Sequence, residues 1–472
     1  MTLPPLDLRL LRPELIVAVG AMALMLWGAR GGQDGAVRWA ALVVLAAALW
    51  EVLALGAAGE GAGAMYVRDG LTVVLQSTAL LAALVASALG GRYVERAALE
   101  AGEFHALVLV AALGAMVMAA SRDLIMLFLG LETLSIPLYV LAAFARADLR
   151  SQEAGMKYFL LGAFSTAFFL YGIALVFGSS GSTALGAVAA APPSLLLRVG
   201  TGLLLVGLAF KAAIVPFHAW APDVYEGAPL PVTAYMAVIA KVGAFAALLR
   251  VVPAVLGASR NEWIPVLGAL SVITMVVGNF AALLQTGIKR LLAYSGIAHA
   301  GFMLIGISAG TAEGAGAVAF YLVAYALMTL GAFGVILMVE RGGEEADQVA
   351  DLTGLAWRSP PLAAAMAVFM VSLAGLPPTA GFMAKFYVFT AALDAGQTAL
   401  AITGVLTSVV SAYFYLRVAY TMFTGEPRPA VVFVGGRWVT AALIFSTAGV
   451  LALGVFPAPL TAFVRQVAQV LR

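Results

Sequence analysis

The chain contains no cysteine, only three histidines in 472 residues, and charged side chains at just 11% of positions. Without cysteine there are no disulfides, no iron–sulfur ligands and no thiol nucleophile. His105, His218 and His299 lie too far apart to form a zinc motif. The 26 basic residues are scattered and the net charge is +2, so nothing resembles a nucleic-acid groove. No glycine-rich phosphate loop sits in a polar α/β stretch. The expectation is therefore no cofactor and no metal in this chain. A soluble domain carries about 25% charged residues, and a globule with fewer than half that share could not cover its surface. The hydrophobic share of 63% and a mean hydropathy of +1.02 place the chain in a membrane.

What is present is a series of long apolar runs. A membrane-spanning helix needs about 20 mostly apolar residues. Fourteen runs qualify, at 12–28, 36–57, 70–90, 104–121, 123–145, 153–178, 195–217, 229–252, 263–285, 290–309, 314–340, 360–395, 399–424 and 438–457. They are continuously apolar rather than alternating, which excludes a β-barrel. The expected fold is an all-α polytopic membrane protein of about 14 transmembrane helices, the first a retained span rather than a leader. Fifty glycines suit close helix packing. The short loops leave no room for a soluble enzyme domain. Loop Lys and Arg are more numerous on the face carrying Arg30, Arg38, Arg92, Arg96, Arg146, Arg150, Lys289, Arg290, Arg341, Arg358, Arg428 and Arg437. The positive-inside rule then places both termini on the non-cytoplasmic side.

The five lysines are distributed unlike the 21 arginines. Nearly all arginines flank spans, whereas Lys211, Lys241 and Lys385 fall inside them. A lysine at a helix centre costs about 2.5–3.5 kcal/mol on insertion scales. Arginine stays protonated in any protein setting, but a desolvated lysine can exchange its proton. Arg417, the one arginine well inside a run, reads as a fixed charge. Glu132, in FLGLETLSIPLYVL (128–141), is the carboxylate near a span centre. A Glu132–lysine pair could switch between joined and separated states, or be a static ion pair. His299 lies mid-span in KRLLAYSGIAHAGF (289–302). Alone it reads as a packing residue, and the lysines make it a relay candidate. His105 is expected at a span edge facing the interface. His218 remains ambiguous, and Lys157 lies about one turn into its span.

Two spans are interrupted by proline. In FKAAIVPFHAWAPDVYEGAPLPV (210–232), Pro216 follows Lys211. In SLAGLPPTAGFMAKFYVF (372–389), Pro377 and Pro378 precede Lys385. Irregular backbone is tolerated in a membrane only where protein or water satisfies the freed groups. Broken helices bearing a charge in both halves point to inverted repeats and an ion pathway. Spans 4–8 and 9–13 would each form a five-helix unit, the odd number inverting the second. Each broken-helix lysine is followed about 30 residues on by a basic residue, Lys241 and Arg417. The bland alternative is that these prolines are packing kinks. The expected divisions are 1–103 (spans 1–3), 104–252 (first repeat), 263–424 (second repeat) and 425–472 (last helix).

These motifs together resemble the antiporter-like membrane subunits of respiratory complex I, from about Phe104 to Phe423. Within that family, PDVYEGAP and a lysine at 385 resemble the N-type branch of the bacterial enzyme. The resemblance implies a proton-translocating, non-redox subunit of an NADH:quinone oxidoreductase in the bacterial inner membrane. NADH, flavin, iron–sulfur clusters and quinone would belong to partner subunits, and related antiporter-like subunits would be its neighbours. It implies a proton relay of Glu132, Lys211, Lys241, His299 and Lys385, with Glu132 partnering Lys211 and Lys157 secondary. The rival reading is a subunit of a multi-subunit cation/proton antiporter, which shares these motifs. A single buried Glu among cations is a poor Na⁺ site, which wants several oxygen ligands. A purely structural scaffold is the bland alternative, and a solute transporter ranks last.

Overall fold

The computed structural model describes residues 8–61, 65–97, 99–256, 260–341, 344–427, 431–433 and 436–462. Among these the helices are α1 (Arg12–Gly28), α2 (Asp34–Leu55), α3 (Gly70–Arg96), α4 (Ala101–Ala120), α5 (Leu124–Ala142) and α6 (Leu149–Ser180). They continue with α7 (Leu185–Ala190), α8 (Leu195–Ala212), α9 (Trp220–Gly227), α10 (Leu230–Leu256), α11 (Arg260–Leu283) and α12 (Ile288–Ala309). The last are α13 (Ala312–Leu337), α14 (Leu355–Arg358), α15 (Pro360–Ala374), α16 (Ala380–Asp394), α17 (Thr398–Phe423) and α18 (Arg437–Val455). Strands are confined to loops. β1 (Gly59–Gly61) pairs antiparallel with β2 (Tyr66–Arg68), and β3 (Val339–Arg341) lies between β4 (Glu344–Glu345) and β5 (Val431–Phe433).

Polar residues in the loops set the helix ends. The Asp69 carboxylate accepts from the Thr72 amide at 2.8 Å, starting α3. Asp123 does the same for Ile125 at α5 (2.8 Å), and Ser194 for Leu197 at α8 (3.0 Å). Gly181 and Gly310 end α6 and α12 in left-handed conformations. Between these caps, twelve helices among the described residues are long and apolar enough to cross a membrane. α10, α12 and α13 are almost wholly buried and form the middle of the bundle. Peripheral helices turn large apolar side chains outward, such as Trp50, Phe164, Val409 and Ile444. Hydrocarbon solvent allows that, and water would not.

The predicted runs coincide with these helices to within about four residues, except that α3 runs six residues past the run at 70–90, and both spans read as interrupted are broken. The run at 195–217 stops early, because α8 ends at Ala212 and Ala213 takes φ 58°, a left-handed conformation that favours glycine. The run at 360–395 is two helices, α15 and α16, separated by residues 375–379 around Pro377 and Pro378. Both breaks have their backbone groups met by protein. Trp220 Nε1 donates to the Phe210 carbonyl at 2.8 Å, and the Val215 amide donates to Thr274 Oγ1 at 3.1 Å. The Gly381 amide donates to Ser372 Oγ at 3.0 Å across the second break.

Ion pairs sort the loops onto two faces. Arg38–Glu95 (2.9 Å), Arg96–Glu340, Arg146–Glu103 (2.9 Å), Arg150–Asp347 (3.6 Å) and Lys289–Glu345 hold one face together. Arg12–Glu51 (3.2 Å) and Arg198–Glu262 (3.0 Å) lie on the other. Arg428 lies outside the described residues.

Candidate functional site

Lys211, Lys241 and Lys385 are all buried. None of them forms an ion pair among the described residues. Their neighbours are aromatic rings and hydroxyl or carbonyl oxygens instead. Lys211 is in the last turn of α8, immediately before the first break. Its Nζ donates to the Tyr158 hydroxyl at 3.2 Å and lies 5.0 Å and 5.3 Å from the ring centres of Tyr158 and Tyr139. Lys241 is mid-way along α10, 5.6 Å from the Tyr325 ring centre and 6.0 Å from that of Tyr225. Lys385 is in α16, just after the second break. Its Nζ donates to the Ala374 carbonyl at 2.9 Å and lies over Phe302 at 4.6 Å. That carbonyl is the last of α15, where helix partial charge favours a cation. Gly375, with φ 83°, leaves room for it: a Cβ there would come within 2.6 Å of Lys385 Cδ. The two break lysines thus lie on opposite sides of their breaks in chain order.

His299 stands between Lys241 and Lys385. It is buried in α12, with Nδ1 2.7 Å from the Tyr321 hydroxyl and Nε2 3.1 Å from the Tyr415 hydroxyl. Tyr415 in turn bonds Ser295. The imidazole ring lies 5.4 Å from Tyr325, which also borders Lys241, and 6.1 Å from Phe302, which borders Lys385. Shared aromatic walls therefore string Lys241, His299 and Lys385 into one row, and the ring contacts Tyr158–Trp220–Tyr225 connect Lys211 to it. Cation–π contact is worth about 2 kcal/mol for a desolvated cation, so such walls hold an ammonium without trapping it beside a carboxylate.

Glu132 is near enough to Lys211 for its charge to act on the ammonium. It is half-buried and accepts from Thr166 Oγ1 at 2.7 Å, and no salt bridge joins it to Lys211. Tyr139 and Tyr158, rather than the carboxylate, contact the lysine.

The secondary residues fall elsewhere. Lys157 is half-exposed and pairs with Glu153 (2.7 Å) and Asp223 (3.2 Å). It lines a charged cavity of about 530 Å³ with Arg150, Asp223, Glu226, Lys289, Arg290 and Asp347. Burial pushes the Asp223 carboxyl up, but hydrogen bonds from Arg290 and Lys157 outweigh it and hold the group below the usual carboxylate range. Burial raises Asp347, against the nearby Lys289. His218 lies half-buried in the turn after α8 and is not joined to the row. Arg417 donates to the Leu283 and Gln285 carbonyls at 3.3 Å and 2.7 Å, closing the end of α11. That is a fixed positive charge at a helix C-terminus. His105 does not face the interface: it is fully buried, packed edge-on against Phe104, with neither ring nitrogen hydrogen-bonded. Gly102 of α4 packs directly against Gly28 of α1, and Gly90 of α3 receives the Phe104 ring, so the start of α4 is interior.

Two buried polar clusters escaped the sequence reading. Arg250, on α10, grips Asp69 through both Nη atoms (2.5 and 2.7 Å). Glu14, on α1, accepts from Tyr66 (2.7 Å) and Gln76 (2.5 Å), and Arg68 is fully buried beside them. Position near span ends made Arg68 and Arg250 look like loop charges. The aromatic walls carried no distinguishing signal in a chain with 14 tyrosines.

The family described as NADH:quinone oxidoreductase/Mrp antiporter, transmembrane, matches residues 121–411. A relative from Chloroflexus aggregans, named NADH-quinone oxidoreductase subunit N, is 43% identical over 99% of this chain and 98% of its own. One of the same name from Trichlorobacter lovleyi is also 43% identical, over 98% and 97%. A chain of respiratory complex I from Thermus thermophilus superposes with a TM-score of 0.84 at 41% identity, covering 95% of this chain and 98% of that one. A chain of the Mrp complex from Dietzia sp. DQ12-45-1b shares the fold, with a TM-score of 0.87 at 23% identity over 99% and 98%.

Proposed function

Because the chain belongs to the transmembrane family of NADH:quinone oxidoreductase and Mrp antiporter subunits, we propose that it relays protons through its row of buried lysines within a complex I membrane arm. It is an antiporter-like, proton-translocating membrane subunit of NADH-quinone oxidoreductase, the counterpart of subunit N, and its partners are other membrane-arm subunits. NADH, flavin, iron–sulfur clusters and quinone belong to those partners, and this subunit does no redox chemistry of its own. The membrane is the bacterial inner membrane, with both termini outside the cytoplasm.

Counting α1 and the pair α15–α16 as one crossing each brings the spans to fourteen. The halves α4–α10 and α11–α17 are then inverted repeats. Close crossings support this reading: Gly114 of α4 meets Leu134 of α5 as Gly278 of α11 meets Ala298 of α12, at the same separation along the chain.

The observation that carries the relay is that, among the described residues, none of the three buried lysines forms a salt bridge. A static ion pair would need a carboxylate at each. An unpaired ammonium in an aromatic pocket is instead poised to lose its proton. Each pKa unit corresponds to about 1.4 kcal/mol, and moving one charge against 100 mV costs about 2.3 kcal/mol. A change of a few units at each lysine is therefore enough to drive transfer. Quinone reduction in partner subunits perturbs Glu132 and Lys211, and the changed field passes a proton along Lys241, His299 and Lys385. Arg417 stays charged throughout.

The test replaces Lys211 or Lys241 with Ala in the assembled complex and measures quinone reduction and proton pumping separately. Pumping should fall in either variant. Full pumping in either assembled variant would remove the proposal.

A further inference from the structure

Resting on the lysine-relay reading above, we infer that the Tyr225 hydroxyl is the group that carries a proton between Lys211 and Lys241. Tyr225 lies on α9, the eight-residue helix that follows the first break. That helix has two faces. Asp223 and Glu226 line the charged cavity, whereas Tyr225 points inward and is 1% exposed.

Among the described residues Tyr225 is the tyrosine whose buried hydroxyl has no hydrogen-bond partner. Other buried tyrosines are satisfied: Tyr158 by Lys211, Tyr235 by the Val108 carbonyl, Tyr321 and Tyr415 by His299. A buried phenol left without a partner is costly, so the unfilled position asks for a transient occupant.

Its location says what that occupant is. On one side the Tyr225 ring borders the Lys241 ammonium at 6.0 Å. On the other it meets Trp220 edge-on at 6.0 Å. Trp220 stacks face to face on Tyr158 at 4.4 Å, and Tyr158 holds Lys211. Trp220 thus joins the Tyr225 ring to the Tyr158 ring.

A phenol both donates and accepts, so it can pass a proton without storing charge. The Lys211 ammonium gives a proton to the Tyr158 oxygen as the Tyr158 hydroxyl proton leaves through one water molecule to the Tyr225 oxygen. The original Tyr225 hydroxyl proton moves, through a second water molecule, to the neutral Lys241 amine. Both tyrosines end neutral. The net change is one proton lost at Lys211 and one gained at Lys241.

The test uses the assembled oxidoreductase in proteoliposomes with three variants: Tyr225→Phe, 3,5-difluorotyrosine at 225, and Lys241→Ala. Phenylalanine removes only an unpartnered hydroxyl, so Tyr225→Phe should assemble with thermal stability equal to or slightly above wild type. Its proton translocation per NADH should fall by at least half the loss produced by Lys241→Ala. Difluorotyrosine, with the same shape and a more acidic phenol, should pump and shift the pH profile of pumping to lower pH. Wild-type pumping by Tyr225→Phe beside a defective Lys241→Ala overturns the bridge and leaves the lysine relay standing. Full pumping by Lys241→Ala overturns the relay and the bridge with it. An unshifted pH profile with difluorotyrosine overturns the bridge and makes Tyr225 a packing residue.

Discussion

Two buried cations sit on the same helix, α10, and are treated in opposite ways. Arg250 is saturated: two bonds to Asp69, one to Thr72 Oγ1 at 2.8 Å and one to the Ala119 carbonyl at 3.0 Å. Lys241, two and a half turns earlier, has aromatic rings and no carboxylate. Arginine cannot release its proton, and its planar fork suits a bidentate carboxylate. Lysine can release its proton where no anion holds it. The first cation ties α10 to α3 and α4; the second is free to change state while α10 stays put. A proton path through a membrane needs both kinds, because a group that changes charge can work only in a frame that does not.

Breaking the fixed side should have the largest effect on stability. Asp69→Ala leaves Arg250 buried and unpaired, which costs about 3–5 kcal/mol. Thermal denaturation of the detergent-solubilised complex should reveal that loss. Asp69→Leu with Arg250→Met should recover most of it, because a packed apolar pair restores the balance.

A second fixed cation gives the next effect. Arg417→Ala removes two charged hydrogen bonds to the end of α11, worth about 1.5–3 kcal/mol each when well made. Stability should drop by about that of one bond, with pumping per NADH retained in the molecules that remain folded.

The cavity ion pairs sharpen the contrast at its weak end. Asp223 is held below its ordinary range, so its contribution is fully present above the unfolded value near 3.9 and is lost as pH falls through the folded value. Asp223→Asn should cost about 1 kcal/mol or less at pH 7, since the pair is partly exposed. The difference from wild type should vanish in acid, as an acid titration of thermal stability would show. Asp347 has the opposite sign, raised in the folded state. Its ionisation opposes folding as pH rises past the unfolded value, so Asp347→Asn should be neutral or slightly stabilising at pH 7, within about 0.5 kcal/mol.

The architecture was legible because hydrocarbon imposes long, unbroken apolar runs. Helices such as α12 and α17 begin and end within two residues of the runs read at 290–309 and 399–424. Lys211, Lys241 and Lys385 stood out for the same reason: a charge in such a run is conspicuous. Partnership was not legible. Asp69 and Arg250 are 181 positions apart, and each looked like an ordinary span-end residue. Nor did spacing reveal that Lys157 opens to a charged cavity or that His105 is wholly interior. The tyrosine walls were hidden by their chemistry, since an aromatic residue in an apolar run is expected whether or not it faces a lysine.

The most direct test is Lys241→Arg in the assembled complex, with proton translocation per NADH measured in proteoliposomes. This variant keeps the positive charge and removes the ability to release a proton. The relay predicts that pumping falls to the level of Lys241→Ala although the charge is preserved. Wild-type pumping with arginine at 241 would mean that the row supplies only fixed charge, and would contradict the account.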